Sequence, residues 1–170
     1  MKAARFIHLS LLFLVVMAAL AWPAPGAGAE TFPARVVWVG DGDSLTVRTS
    51  GRDRIRLRLY GVDAPELDQP HGAEARKFLA SLADKKNVLV EKVEWDSYGR
   101  LVALVTAGDL NLSLELTAAG WAWVYERHCR RADLCPALRQ AQNEARRAGR
   151  GLWQDESPVP PEKWRWGRKD

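Results

Sequence analysis

The sequence predicts an α+β chain, a five-stranded β-barrel with about three helices packed on it. Three observations carry that expectation. Ile55, Leu57 and Leu59 alternate strictly with Arg54, Arg56 and Arg58, the period-2 pattern of a strand with one buried face. Asp41-Gly42 sits between two apolar runs, which is a strong hairpin signal. Ala75, Phe78, Leu79 and Leu82 recur at helical spacing between the third and fourth strand segments.

Along the chain, residues 35–39 and 44–48 read as two strands around Asp41-Gly42, and a turn at Ser50-Gly51 leads into a third over 54–60. Gly61 breaks that strand, and Ala64, preceding Pro65, is biased toward extended backbone. Residues 72–82 read as a helix, 88–95 and 101–106 as strands four and five joined through Ser97-Tyr98-Gly99, and 112–119 as a short helix ended by Gly120. A compact aromatic segment follows at 121–125, in which Trp121 and Trp123 read as barrel-packing residues. The last helix spans 134–148, with Pro136 in its first turn. Five strands with helices after the third and fifth fit a small barrel of the OB type. Residues 157–170, with Pro158, Pro160 and Pro161, read as an extended tail holding Trp164, Arg165, Trp166, Arg168 and Lys169.

Composition bounds the class. The chain has 170 residues, 47% hydrophobic and 27% charged, which describes one ordinary globular domain plus a targeting segment. Lys2 and Arg5 precede an apolar stretch over 6–20, and Ala27-Gly28-Ala29 supplies a small-x-small cleavage pattern. Residues 1–29 therefore read as a signal peptide. An uncleaved anchor is disfavoured, because the run is shorter than the roughly 20 residues of a spanning helix. Residues 30–155 form the expected domain and 156–170 the tail, in a protein exported to the periplasm or secreted. Removing the leader leaves 23 basic against 21 acidic residues, a weak basic balance. Arg127, Arg130, Arg131, Arg139, Arg146, Arg147 and Arg150 cluster late in the chain. The two cysteines, Cys129 and Cys135, read as a disulfide in an exported chain. The competing reading, a metal held by both thiols and His128, gives only three ligands at an unusual spacing.

The break at Gly61 delivers two carboxylates, Asp63 and Glu66, beside three arginines. Fixed cations beside fixed anions suit a site that handles a phosphate and a metal ion. Two further segments share this chemistry, Gly40-Asp41-Gly42-Asp43-Ser44 and Asp96-Ser97-Tyr98-Gly99-Arg100. Together with the run from Arg58 to Glu66 and the late Gly151-Leu152-Trp153, they resemble, in order, the motifs of the staphylococcal nuclease family. That family comprises calcium-dependent phosphodiesterases on an OB-fold barrel, and the resemblance covers roughly residues 34–153.

The resemblance implies Asp43 and Asp63 as calcium ligands, with the backbone carbonyl of Ala64 beside them and Asp41 reaching the ion through water. Few carboxylates with carbonyl and water oxygens form a loose site that suits calcium better than magnesium. An EF-hand is excluded, since counting from Asp41 the fifth position is Leu45 and the twelfth Arg52. Glu66 is the candidate general base or water-positioning residue. Arg58 and Arg100 are the candidate catalytic phosphate clamps, since a guanidinium is a planar fork that matches phosphate oxygens. Tyr98 and Tyr125 are candidate substrate contacts. Many relatives have Thr in place of Ala64 and Lys in place of Ser97. The implied activity is hydrolysis of DNA and RNA with little sequence preference, single strands or frayed ends being favoured, leaving 5′-hydroxyl and 3′-phosphate ends. No obligate protein partner, no membrane span after cleavage and a monomer are expected. The alternatives are a non-catalytic OB-fold module that binds nucleic acid or protein, and a structural envelope domain.

Overall fold

A computed structural model describes residues 29–167; the expected signal peptide lies almost wholly outside the described residues. The chain runs β1 (Thr31–Val39), β2 (Ser44–Thr49), β3 (Arg54–Leu59), β4 (Val62–Asp63), α1 (Gly72–Ala83), β5 (Asn87–Trp95), β6 (Leu101–Ala107), β7 (Leu110–Asn111), α2 (Leu112–Ala118), β8 (Trp123–Val124), α3 (Cys135–Arg147), a 3-10 turn (Gly151–Gln154) and α4 (Pro161–Trp166). The main sheet has the order β3-β2-β1-β5-β6-β7, and β3 also pairs with β6. That parallel pairing, Leu57 opposite Leu101 and Leu59 opposite Ala103, closes β1, β2, β3, β5 and β6 into the five-stranded barrel that the alternation predicts. Closure removes both free edges.

The barrel interior is the inward half of each alternation. Val36, Val47, Leu57, Val90, Ala103 and Val105 are fully buried. The α2 helix caps the barrel with Leu112 and Leu116, also fully buried, and its N-terminus is satisfied by Asn111, whose side chain accepts from the Leu114 N–H at 3.1 Å. The α3 helix buries Leu138, Ala141 and Ala145 against α2 and β8. Trp121 packs on the core, and Trp123 meets Trp153 edge to face at 5.3 Å.

Two departures from the sequence reading matter. The pairing of β4 with β8, Val62 opposite Val124 and Asp63 opposite Trp123, is two residues long, too short to show any periodicity. The tail, expected to be extended, instead turns into α4. Pro160 holds φ −62° and Pro161 opens the helix, where a missing N–H and a fixed φ are compatible with a first turn.

Three local features hold the segment that follows β3. Gly61 has φ +76°, and a Cβ there would meet Cys129 Sγ and Leu138 Cδ1 at 3.0 Å. Tyr60 is buried, and its hydroxyl accepts from the N–H groups of Arg130 and Arg131 at 2.9 and 3.1 Å. That ties β3 to the loop closed by Cys129 and Cys135, whose sulfurs lie at disulfide-bonding distance, 2.06 Å. The metal reading of these thiols with His128 is thereby overturned.

In the adjoining β1–β2 loop, Gly42 lets the chain touch the segment after β4. A Cβ on Gly42 would lie 2.6 Å from the Ala64 Cβ and 2.8 Å from the Ala75 Cβ, neither of which can yield as a flexible side chain would. Gly42→Ala is therefore expected to lower stability by about 1–3 kcal/mol, read from urea unfolding. An unchanged midpoint would show that the loop and α1 separate freely.

Candidate active site

Three elements converge where β3 ends. The β1–β2 loop carries Asp41 and Asp43, β3 carries Arg58, and β4 with its following turn carries Asp63, Ala64 and Glu66. The loop is shaped by its own polar groups: the Asp43 N–H donates to Asp41 Oδ1 at 3.0 Å, and the Leu59 N–H donates to the Asp43 carbonyl at 2.9 Å. Asp43 and Asp63 are each 3% exposed.

Arg58 bridges the two buried acids. Its Nη1 donates to Asp43 Oδ1 at 3.1 Å and its Nη2 to Asp63 Oδ1 at 2.7 Å, with a further bond from Nη2 to the Val62 carbonyl at 3.3 Å. The second Asp43 oxygen accepts from the Ala64 N–H at 2.9 Å. Burial pushes the Asp43 carboxyl up to about 7, against the pull of Arg58 and with help from Asp41 and Asp63. Burial alone would weaken the Arg58 proton, but Asp43 and Asp63 together hold it above the ordinary guanidinium range. The Arg58 guanidinium also lies 5.7 Å from the Tyr125 ring centre.

Arg100 is set by a separate device. Asp96 Oδ1 accepts from the N–H groups of Tyr98 and Arg100, both at 2.9 Å, and its Oδ2 accepts from Arg100 Nε at 2.7 Å. Burial pushes the Asp96 carboxyl up, but these bonds and the charge of Arg100 together outweigh it and hold the carboxyl below its usual range. Arg100 is thus gripped through Nε, leaving its terminal nitrogens turned to the cleft, 5.5 Å from the Tyr98 ring centre measured at Cζ. Tyr98 is 74% exposed at the rim.

Asp41, Asp43, Arg58, Ala64, Glu66, Tyr98, Arg100 and Tyr125 line one open cleft of about 820 Å³. Asp63 sits immediately behind, covered by guanidinium groups. Every site residue expected from the sequence is at this one place, apart from the cysteines, which brace the 129–135 loop.

One residue of the site was not among those expected. Arg165 of α4 donates from Nη1 to Glu66 Oε1 at 2.7 Å and to Asp63 Oδ1 at 3.2 Å, and from Nη2 to Asp63 Oδ2 at 3.0 Å. It is drawn in by tertiary docking of the tail: Gln69 Nε2 donates to the Val159 carbonyl at 2.5 Å, Trp164 Nε1 reaches Asp68 Oδ1 at 3.4 Å, and Arg127 pairs with Glu162 at 3.2 Å. The only sequence signal was the mixture of aromatics and cations over 164–169, which does not single out Arg165.

The donor set available to a metal is oxygen only. Among the described residues no group of three or more His, Cys, Asp or Glu is arranged to hold an ion. Asp43 and Asp63 do meet at the Arg58 guanidinium, and the carbonyl of the neighbouring buried Ala64 accepts no hydrogen bond from the described residues. Two carboxylates, a carbonyl and water suit a hard cation of loose geometry.

The sequence matches the family described as "Staphylococcal nuclease homologue" over residues 56–155. It is 40% identical over 152 residues to an "uncharacterized endonuclease" of Escherichia coli O157:H7, covering 89% of this chain and 94% of that one. A protein of the same description from Haemophilus influenzae is 39% identical over 131 residues, covering 77% and 71%. The "micrococcal nuclease" of Shigella flexneri is 35% identical over 148 residues, covering 82% and 83%. With the barrel and the order of its motifs, these similarities establish that the chain belongs to the staphylococcal nuclease family.

Proposed function

We propose that this protein is an exported, calcium-dependent nuclease that hydrolyses phosphodiester bonds of DNA and RNA with little sequence preference. The observation that carries the reading is Arg58 held between buried Asp43 and Asp63 at the wall of a cleft that also holds Glu66 and Arg100. A buried ion triad of this kind is weak as a stabilising device, because its desolvation offsets most of the attraction. Its placement on a solvent-open wall points to an anionic substrate.

When bound by Asp43, Asp63 and the Ala64 carbonyl, calcium would neutralise part of the negative charge at the phosphate. Glu66 sits where a carboxylate can align a water and take its proton as the water oxygen bonds to phosphorus. Arg58 and Arg100 present fixed cations to the non-bridging oxygens as the P–O5′ bond breaks, stabilising charge that grows only in the transition state. Tyr125 and the exposed Tyr98 flank the cleft, in position to contact the nucleotide. The scissile bond that opens leaves a 5′-hydroxyl and a 3′-phosphate.

A dye-labelled single strand given to the mature chain should be cut in calcium and left intact in chelator. Arg58→Lys should reduce turnover about 10²- to 10³-fold, equivalent to roughly 3–4 kcal/mol of barrier, because an ammonium lacks the fork that meets two oxygens. Binding of the strand without cleavage under any metal condition would replace the nuclease with a binding module.

Asp43 makes cation binding depend on pH. Its carboxyl is held at about 7 in the cation-free protein, so below that value a proton must leave before a cation can enter. Calcium affinity measured by calorimetry should be constant above about pH 7 and weaken as pH falls through it. A flat profile from pH 8 to 5.5 would place the titrating group elsewhere.

Arg165 occupies both oxygens of Asp63, which a cation also needs. Arg165→Ala should therefore tighten calcium binding several-fold in the absence of nucleic acid. Equal affinities in the two proteins would mean that the guanidinium swings aside without cost.

A further inference from the structure

The arginines of β3 continue beyond the cleft. Arg58, Arg56 and Arg54 point outward from alternate positions of one strand, since Leu57 and Leu59 between and beside them are buried. Arg58 lies at the acids, and Arg56 lines the same cleft, its Nη2 donating to the Tyr98 carbonyl at 2.8 Å. Arg54 is exposed beyond the rim. There the row turns across the sheet. Arg54 stands directly opposite Arg48 on β2, and Arg48 directly opposite Arg35 on β1. All three are exposed, and none makes an ion pair or side-chain hydrogen bond with the described residues.

This register is costly on its own. Like charges directly opposite on neighbouring strands destabilise a sheet, and strands lie about 4.8 Å apart. Acids do not relieve it. The position opposite Arg35 on β5 is Asn87, followed outward by Lys85 and Lys86 in the turn before β5. Asp53, in the β2–β3 turn, forms no ion pair with Arg48 or Arg54 and has its Oδ2 close to Gly51. One row nearer the cleft, Thr46 stands between Arg56 and Trp38. Trp38 is 57% exposed, with the Arg76 guanidinium 5.2 Å from its ring centre. Cations and an exposed aromatic on a sheet face are the elements of a single-strand binding surface.

We propose that Arg54, Arg48 and Arg35, with Trp38 beside them, form a second binding surface of this protein, a track for the phosphates of a single-stranded polynucleotide that runs on from the cleft along Arg56. Arg58, Arg56 and Arg54 are spaced by about 6.7 Å along β3, and Arg54, Arg48 and Arg35 by about 4.8 Å across the strands, and the side chains are long and flexible enough to spread to successive phosphates. The track makes long strands the favoured substrate class over dinucleotides and other short pieces that fill only the cleft. It rests on the nuclease reading for its link to cleavage, but binding itself can be measured without hydrolysis.

The test compares the mature chain with the triple variant Arg35→Gln, Arg48→Gln, Arg54→Gln. Anisotropy of a labelled 20-nucleotide single strand is followed in chelator over a series of salt concentrations, and cleavage of a trinucleotide is followed in calcium. The expected result is a loss of about tenfold or more in affinity for the 20-mer. The slope of log affinity against log salt should shrink by about 2, since three phosphate contacts on a single strand release about 0.7 counterion each. Trinucleotide turnover should not change, and a triple lysine variant should recover most of the salt slope. The variant's melting midpoint should equal or exceed that of the parent, because opposed like charges are gone. An unchanged salt slope would overturn the proposal, as would an equal loss on the 20-mer and the trinucleotide. Retained binding to the 20-mer with lost binding to phosphatidylglycerol vesicles would also overturn it, assigning the face to a membrane. A parent that binds the 20-mer through these arginines but cuts neither substrate would sustain the track and refute the nuclease reading instead.

Discussion

The contact on which the site depends is the Arg58 bridge between Asp43 and Asp63. It joins three elements that share no local sequence, the β1–β2 loop, β3 and β4. Removing any partner would leave a largely buried charge unpaired at the cleft wall, and such losses are severe. Much of the surrounding structure serves to make the bridge possible. Gly42 allows the loop to sit against Ala64 and α1, and Gly61 takes the left-handed turn that returns Asp63 beneath Arg58. Tyr60, between the bridge and that turn, is fastened from both sides, its carbonyl accepting from Ser113 Oγ at 2.9 Å and its hydroxyl from the 130–131 backbone. The bracing loop with its paired cysteines therefore acts on the site at a distance, through β3.

The parts of the fold legible in the sequence are those whose signal is local. Alternation marked β3 almost to the residue, and Asp-Gly marked β2 and the turn that places Asp43. The α1 face was legible too, although Phe78 and Leu82 are only partly buried while Gly72 and Ala83 complete the contact. What escaped is tertiary. The parallel pairing of β3 with β6 leaves no trace in either strand's pattern, and the two-residue strands β4 and β8 exist only because they face each other.

The site divides in the same way. The acids and arginines of the motifs could be named from the family resemblance, but not which cation faces which anion. Arg58 could have been a solvated strand residue on its pattern alone, and only the closeness of Asp43 and Asp63 shows otherwise. Arg165 is separated from Asp63 by 102 positions. Nothing distinguishes it from Arg168 or Lys169 until α4 is seen to dock, because proline-rich sequence reads as extended and a six-residue helix has almost no stability apart from its contacts.

Charge shows how misleading linear clustering is. Seven arginines between 127 and 150 look like a basic patch, yet most are engaged. Arg131 pairs with Glu91 and Asp133, Arg139 with Glu126, and Arg127 with Glu162. Arg150 donates to the Ala118 carbonyl, and Arg146 lies over Trp153. These cations tie α3, the disulfide-bearing loop and α4 to the barrel. Arg35, Arg48 and Arg54, which have no acidic partner among the described residues, are scattered through the sequence and brought into one row on β1, β2 and β3 only by strand register. A chain with a nearly balanced charge can in this way carry a local row of unpaired cations while its acids pair elsewhere in holding the fold. The positive field is then left on the face that leads into the cleft.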